Sequence, residues 1–168
     1  MMFAYVDPIP HEELQQRHNM TGDLKVLVVE DNPNDVLLLK RAFSKGGPEL
    51  PLRFVRNGQE ALDYLNGVDR FADRNLYPLP TLLVLDLKLP GIDGFDIIKW
   101  VRNEARFRDM RIVVLSSSNE PSDISRAHDL GANAYHVKPN DPNALVGMVE
   151  GLKTYWVDRN VEPEVPPA

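Results

Sequence analysis

The sequence predicts an α/β fold, a doubly wound parallel sheet built from five βα units. Three observations predict it. Short apolar runs dense in Val and Leu alternate with longer stretches of helical spacing. The apolar runs are nearly continuous, as strands covered on both faces should be. Parallel neighbours need helical crossovers, so the alternation itself implies the topology.

The first strand is expected at 25–29. Asn32-Pro33 then signals a helix, because Asn caps free amides and Pro suits the first helical position. That helix is expected to run to Lys45 and to stop at Gly46-Gly47-Pro48. Strands follow at Leu52–Val55, Leu82–Leu85, 112–115 and Ala134–Val137, and helices at 59–65, 95–103, 122–130 and 143–156. In the last helix Leu145, Met148, Val149, Leu152 and Trp156 recur at helical spacing. A flavodoxin-like strand order, 2-1-3-4-5, is the expected arrangement.

The chain has 168 residues, enough for one domain with a sizeable core. The expected division is an arm at 1–22, with a short helix at 11–19, a domain at 23–157 and a Pro-rich tail at 158–168. No cysteine is present, which excludes disulfides, thiol catalysis and cysteine-ligated metals. A cytoplasmic location fits. A net charge of -6 argues against nucleic-acid binding. No apolar run is long enough to span a bilayer, and the acidic N-terminus does not read as a secretory signal.

In open parallel sheets ligands sit at the carboxyl ends of the strands, near the switch point between strands 1 and 3. Glu30 and Asp31 follow strand 1, Asp86 follows strand 3, Ser116 follows strand 4 and Lys138 follows strand 5. Singly, the carboxylates read as caps or turn formers, Ser116 as a helix cap and Lys138 as a solvated lysine. Jointly they place three carboxylates, a hydroxyl and an ammonium at one end of the sheet. Clustered carboxylates need a cation, and oxygen ligands suit Mg²⁺. A carboxylate can attack phosphorus to give an aspartyl phosphate, with metal and lysine neutralising charge.

The matching segments are VLVVEDNP around Glu30-Asp31, LLVLDLKLPGIDG around Asp86, VVLSS around Ser116, and GANAYHVKP ending in Lys138-Pro139. As an ordered set they resemble the receiver-domain family of two-component response regulators. The resemblance implies that Asp86 is the phosphoacceptor and that Asp31 binds Mg²⁺ directly. It implies that Glu30 acts on the metal through water and that the backbone carbonyl of Lys88 is a further ligand. Lys138 resembles the phosphate-pairing lysine, Ser116 the switch hydroxyl, Tyr135 the switch aromatic and Pro139 a cis-proline. Two residues depart from the commonest pattern: Glu30 stands for an aspartate and Ser116 for a threonine. The long connection 66–80 resembles that of stand-alone regulators associated with phytochromes.

The resemblance implies a sensor histidine kinase as donor, in that subgroup a phytochrome-type photoreceptor. It implies no enzyme with a separate substrate, only a domain that catalyses its own phosphotransfer and dephosphorylation. A flavin carrier on the same fold is disfavoured, because Glu30-Asp31 puts negative charge where a phosphate would sit. A degenerate receiver acting as an adaptor would lack the acceptor, a metal acid or the lysine. No output domain is expected after Trp156, so the signal would leave through a surface change. The long apolar pattern reaching Tyr155 and Trp156 predicts a homodimer through helix 4, strand 5, helix 5 and the C-terminal arm. The alternative is that these two aromatics fold back on their own domain.

Overall fold

Five strands, Val26–Val29 (β1), Leu52–Val55 (β2), Leu82–Leu85 (β3), Arg111–Ser116 (β4) and Ala134–Val137 (β5), form one sheet in the computed structural model of the chain. Their order is β2-β1-β3-β4-β5 and every pairing is parallel, as the sequence predicts. The structure describes residues 24–45 and 50–158. The expected arm 1–22, the helix at 11–19, the stop at Gly46-Gly47-Pro48 and the tail beyond Asp158 lie outside the described residues.

Helices Pro33–Ser44 (α1), Gly58–Asn66 (α2), Gly94–Asn103 (α3), Pro121–Leu130 (α4) and Pro142–Asp158 (α5) connect and follow the strands. Local chemistry sets their starts. The Asn32 side chain accepts from the amides of Asn34 and Asp35, and Pro33 occupies the first turn. Asn57 caps α2 by accepting from the Glu60 amide. Asp93 and Asp96 form a reciprocal capping box that opens α3 one residue before Phe95. At the other end, Gly67 closes α2 at φ +66, in the left-handed region where a Cβ is costly.

The strands are covered on both faces because alternate side chains serve two cores. Leu27, Val29, Leu83, Leu85, Ile112 and Val114 pack with residues of α2, α3 and α4. Val26, Val28, Leu82, Val84, Val113 and Leu115 pack with α1 and α5. The connection 66–80 is ordered by its own packing. It holds a 3-10 turn at Asp69–Phe71, and Phe71 and Tyr77 pack on Tyr64. Arg74 donates to the carbonyls of Tyr64 and Leu65, which satisfies the open end of α2.

The end of α5 follows the fold-back alternative for one aromatic. Trp156 is buried and its ring stacks on Phe43 of α1, with centroids 6.1 Å apart. Tyr155 is 43% exposed. Between them and the helix start, Lys153 is buried and donates to the carbonyls of Phe43 and Lys45, holding α5 on the end of α1. Of the two aromatics that motivated a dimer surface, Trp156 is therefore taken up by the domain's own core.

Candidate functional site

Strand register gathers the site. Val29 pairs with both Val55 and Leu85, so β1 and β3 end level with one another. The Glu30 amide then bonds to the Val55 carbonyl at 3.0 Å and the Asp86 amide to the Val29 carbonyl at 3.1 Å. Glu30 and Asp86 are thereby buried at the same end of the sheet. Asp31 is exposed beside them, and one carboxylate oxygen from each of the three residues lies within 4.8 Å of the others.

The loop after β3 is folded tightly onto Asp86. Asp86 Oδ1 accepts from the Lys88 amide at 3.2 Å. The Gly94 amide returns to the Leu87 carbonyl at 3.0 Å. A side chain at Gly94 would meet the Asp86 carbonyl oxygen at 2.5 Å, so only glycine lets α3 begin this close to the acceptor loop.

Lys138 reaches the cluster from the end of β5. Its amide bonds to the Ser116 carbonyl at 2.7 Å, continuing the ladder past the strand. Its ammonium is buried and bonds to Glu30 Oε2 at 2.5 Å, Asp35 Oδ2 at 3.0 Å and Asp86 Oδ2 at 3.1 Å. Lys138 is not the solvated loop lysine it resembles when taken singly, because three carboxylates give it a buried partner set. Burial opposes its charge, but the Glu30 hydrogen bond and the charges of Asp86 and Glu30 outweigh it, so its pKa is raised. Burial pushes Glu30 up to about 7, against the hydrogen bond and charge of Lys138, and the nearby Asp86 charge adds to the rise.

Ser116 is fully buried at the end of β4, and its Oγ accepts from the Ser118 amide at 3.3 Å. Ser116 does not cap α4, which has no side-chain cap; Ser118 instead shapes the loop before it. Its Oγ accepts from the Glu120 amide at 3.4 Å and donates to Asp123 at 2.6 Å. Tyr135 is half-buried against the core, and its hydroxyl donates to the Ser118 carbonyl at 2.7 Å. The expected cis-proline is corrected. Among the described residues no peptide bond is cis, so Lys138–Pro139 is trans. Trans is the lower-energy form for X–Pro.

Two participants escaped sequence reading. Asp35 joins the Lys138 partner set from the first turn of α1, and Asp123 fixes Ser118. Asp35 sits three residues after the cap Asn32, where an acid reads as an ordinary helix-start residue.

The response regulator receiver domain profile matches residues 26–150. The chain belongs to the response regulator receiver family. Receiver domains are signalling phosphoacceptors, and this receiver resembles regulators from more than one setting. It is 35% identical over 138 residues to the probable methanogenesis regulatory protein FilR2 of Methanothrix harundinacea, spanning 82% of this chain and 86% of that one. It superposes on the phosphorylated cyanobacterial phytochrome response regulator RcpA with a TM-score of 0.77 at 30% identity, covering 84% of this chain and 99% of the other. The Mn²⁺-bound form of Rcp1, a regulator known from Synechocystis, gives a TM-score of 0.75 at 26% identity, covering 83% and 99%. The receiver's own donor set fits such an ion. Glu30, Asp31 and Asp86 offer three clustered oxygens, the hard ligands that divalent cations of this size prefer.

Proposed function

We propose that this receiver accepts a phosphoryl group on Asp86 from a sensor histidine kinase and signals through a surface change. The buried Asp86 carboxylate bonded to the Lys138 ammonium carries the reading. An Asp86 oxygen forms a bond to phosphorus, and the P–N bond of the donor phosphohistidine breaks. The electron pair stays on the imidazole nitrogen, which takes a proton from water. Lys138 faces the oxygens that gain charge, and the tight loop through Lys88 and Gly94 holds the nucleophile in place. In a separate dephosphorylation step water attacks phosphorus, the P–O bond to Asp86 breaks, inorganic phosphate leaves and the Asp86 carboxylate is restored. Ser116 and Tyr135 form the switch, linked through Ser118.

Asp31, Glu30, Asp86 and the Lys88 carbonyl would hold Mg²⁺, with Glu30 acting through water. When bound, the ion neutralises charge on the phosphoryl oxygens. Asp31→Ala is expected to weaken Mg²⁺ binding more than Glu30→Ala, because Asp31 presents an exposed carboxylate while Glu30 is tied to Lys138. Metal titration of both variants checks the order, and an equal or reversed ranking counts against it.

The donor we favour is a phytochrome-type kinase in the same cytoplasm. Support comes from the likeness to RcpA and Rcp1 and from the long connection 66–80. The likeness to FilR2, a probable methanogenesis regulatory protein, carries no phytochrome link. A panel of autophosphorylated kinases that includes photoreceptor and other sensors therefore tests the assignment. Transfer from a phytochrome-type member supports the link, and transfer only from others removes it. Absence of transfer from every donor, acetyl phosphate included, overturns the phosphoacceptor reading.

A homodimer through α4, β5 and α5, with the C-terminal arm, remains part of this proposal. Tyr155 and Val137 still present partly exposed apolar surface on α5 and β5. Sedimentation of the whole chain at tens of micromolar, with and without phosphorylation, is expected to show two copies. A monomer in both states would remove the dimer.

A further inference from the structure

The geometry points to Asp35 as the residue that holds Lys138 in the unphosphorylated state and releases it when a phosphoryl group arrives. The inference rests on the phosphoacceptor reading of Asp86. An acid at the third helical position normally reaches back to the amide of its own cap. Helix α3 does this: Asp96 accepts from the Asp93 amide at 3.2 Å. Helix α1 does not, because the Asn32 amide is already bonded to Glu30 Oε1 at 3.1 Å. Asp35 turns instead to Lys138, a residue 103 positions away in the chain.

An ammonium has three N–H donors. Here Glu30, Asp35 and Asp86 occupy them. A phosphoryl group on Asp86 takes over the N–H that the Asp86 carboxylate held and adds further charged oxygens that draw on the same cation, so Glu30 and Asp35 then compete with those oxygens for it. The Glu30 side chain is 2% exposed and that of Asp86 is 9% exposed, whereas that of Asp35 is 24% exposed. A carboxylate returning to water loses least when it is already partly hydrated. Glu30 is also held by the Asn32 amide, and Asp86 carries the phosphoryl group itself. Asp35 is therefore the partner that leaves. Its departure unties the first turn of α1 from the end of β5, so phosphorylation is felt at the start of α1.

The test is the rate of Mg²⁺-dependent labelling by acetyl phosphate in the whole chain, for the parent, Asp35→Asn and Asp35→Ala. Removing the competing carboxylate frees Lys138 and removes repulsion toward the incoming group. Both variants are expected to label about two- to fivefold faster, the size expected of a partly exposed ion pair. Mg²⁺ affinity should stay within about twofold of the parent, since Asp35 pairs with the lysine. A second readout is amide exchange in the first turn of α1. In the parent, exchange there should rise on phosphorylation; in the variants it should be fast already and unchanged by phosphorylation. A parent labelled on Asp86, with variants that label at the same rate or more slowly, overturns this inference alone. So does a loss of Mg²⁺ affinity in Asp35→Asn as large as that in Asp31→Ala. A parent that takes no label overturns the phosphoacceptor reading, and this inference with it.

Discussion

Asp86→Asn is expected to reduce phosphoryl labelling to background while leaving the fold intact. The amide has nearly the shape of the carboxylate, and its oxygen can still accept from the Lys88 amide. What it lacks is a nucleophilic oxygen that could carry an acyl phosphate. The direction of the stability change separates this from mere damage. Three carboxylates surround one ammonium at this site, so negative charge is in excess. Part of the rise of Glu30 to about 7 comes from the Asp86 charge, behind the larger effect of burial. Neutralising Asp86 relieves that repulsion, and the variant should be as stable as the parent or up to about 1 kcal/mol more stable in the absence of divalent cations. Acetyl phosphate labelling and urea unfolding are the measurements. Undiminished Mg²⁺-dependent labelling would sink Asp86 as the acceptor.

The sheet and its order were legible because they rest on local pattern and chain connectivity. Leu82–Leu85 can be little but a strand covered on both faces, and it is buried throughout. Asn32-Pro33 announced α1 and does cap it. Element ends were less legible where a cap lies one residue outside the apolar pattern: Asp93 opens α3 at Gly94, and α5 begins at Pro142. The convergence of Glu30, Asp31, Asp86 and Lys138 followed from the rule for strand ends, since register fixes where strand ends fall, and Ser116 lies at the end of the neighbouring strand.

The rest was illegible for one physical reason. Long polar side chains choose partners across the fold, and local spacing carries no record of that choice. Asp35 on Lys138, Lys153 on the end of α1, and Arg74 on the end of α2 are all of this kind. Trp156 shows the same gap for an apolar group. Its helical spacing was evident, but the Phe43 ring that covers it comes from α1, more than a hundred residues earlier.

Lys138→Ala should have the largest effect on stability, and of the opposite sign to Asp86→Asn. It removes the only ammonium within hydrogen-bond reach of the buried carboxylates of Glu30 and Asp86 among the described residues. Leaving buried charge without its partner costs about 3–5 kcal/mol. The loss should depend on pH, and the sign follows from the two raised groups. The Lys138 pKa is raised, so its stabilisation is fully present below the unfolded-state value of 10.5 and is lost only as pH rises through the folded value. That titration lies above the neutral range, and within it the contribution of Lys138 changes only as its carboxylate partners gain or lose protons. Glu30 is also raised, from 4.5 to about 7, so its protonated form favours the fold below 4.5 and this advantage is lost as pH rises through about 7. Without the ammonium Glu30 rises further, and the variant loses stability over a window that begins at the same pH but extends higher. The gap between parent and variant should therefore be widest above neutrality and should nearly close in acid, where the carboxylates are neutral. Millimolar Mg²⁺ should narrow it as well, by supplying positive charge to the same oxygens. Urea unfolding at acid and mildly alkaline pH, with and without Mg²⁺, measures all of this. Equal midpoints for parent and variant at about pH 8 without divalent cations would show that Lys138 is not the counter-charge of the cluster.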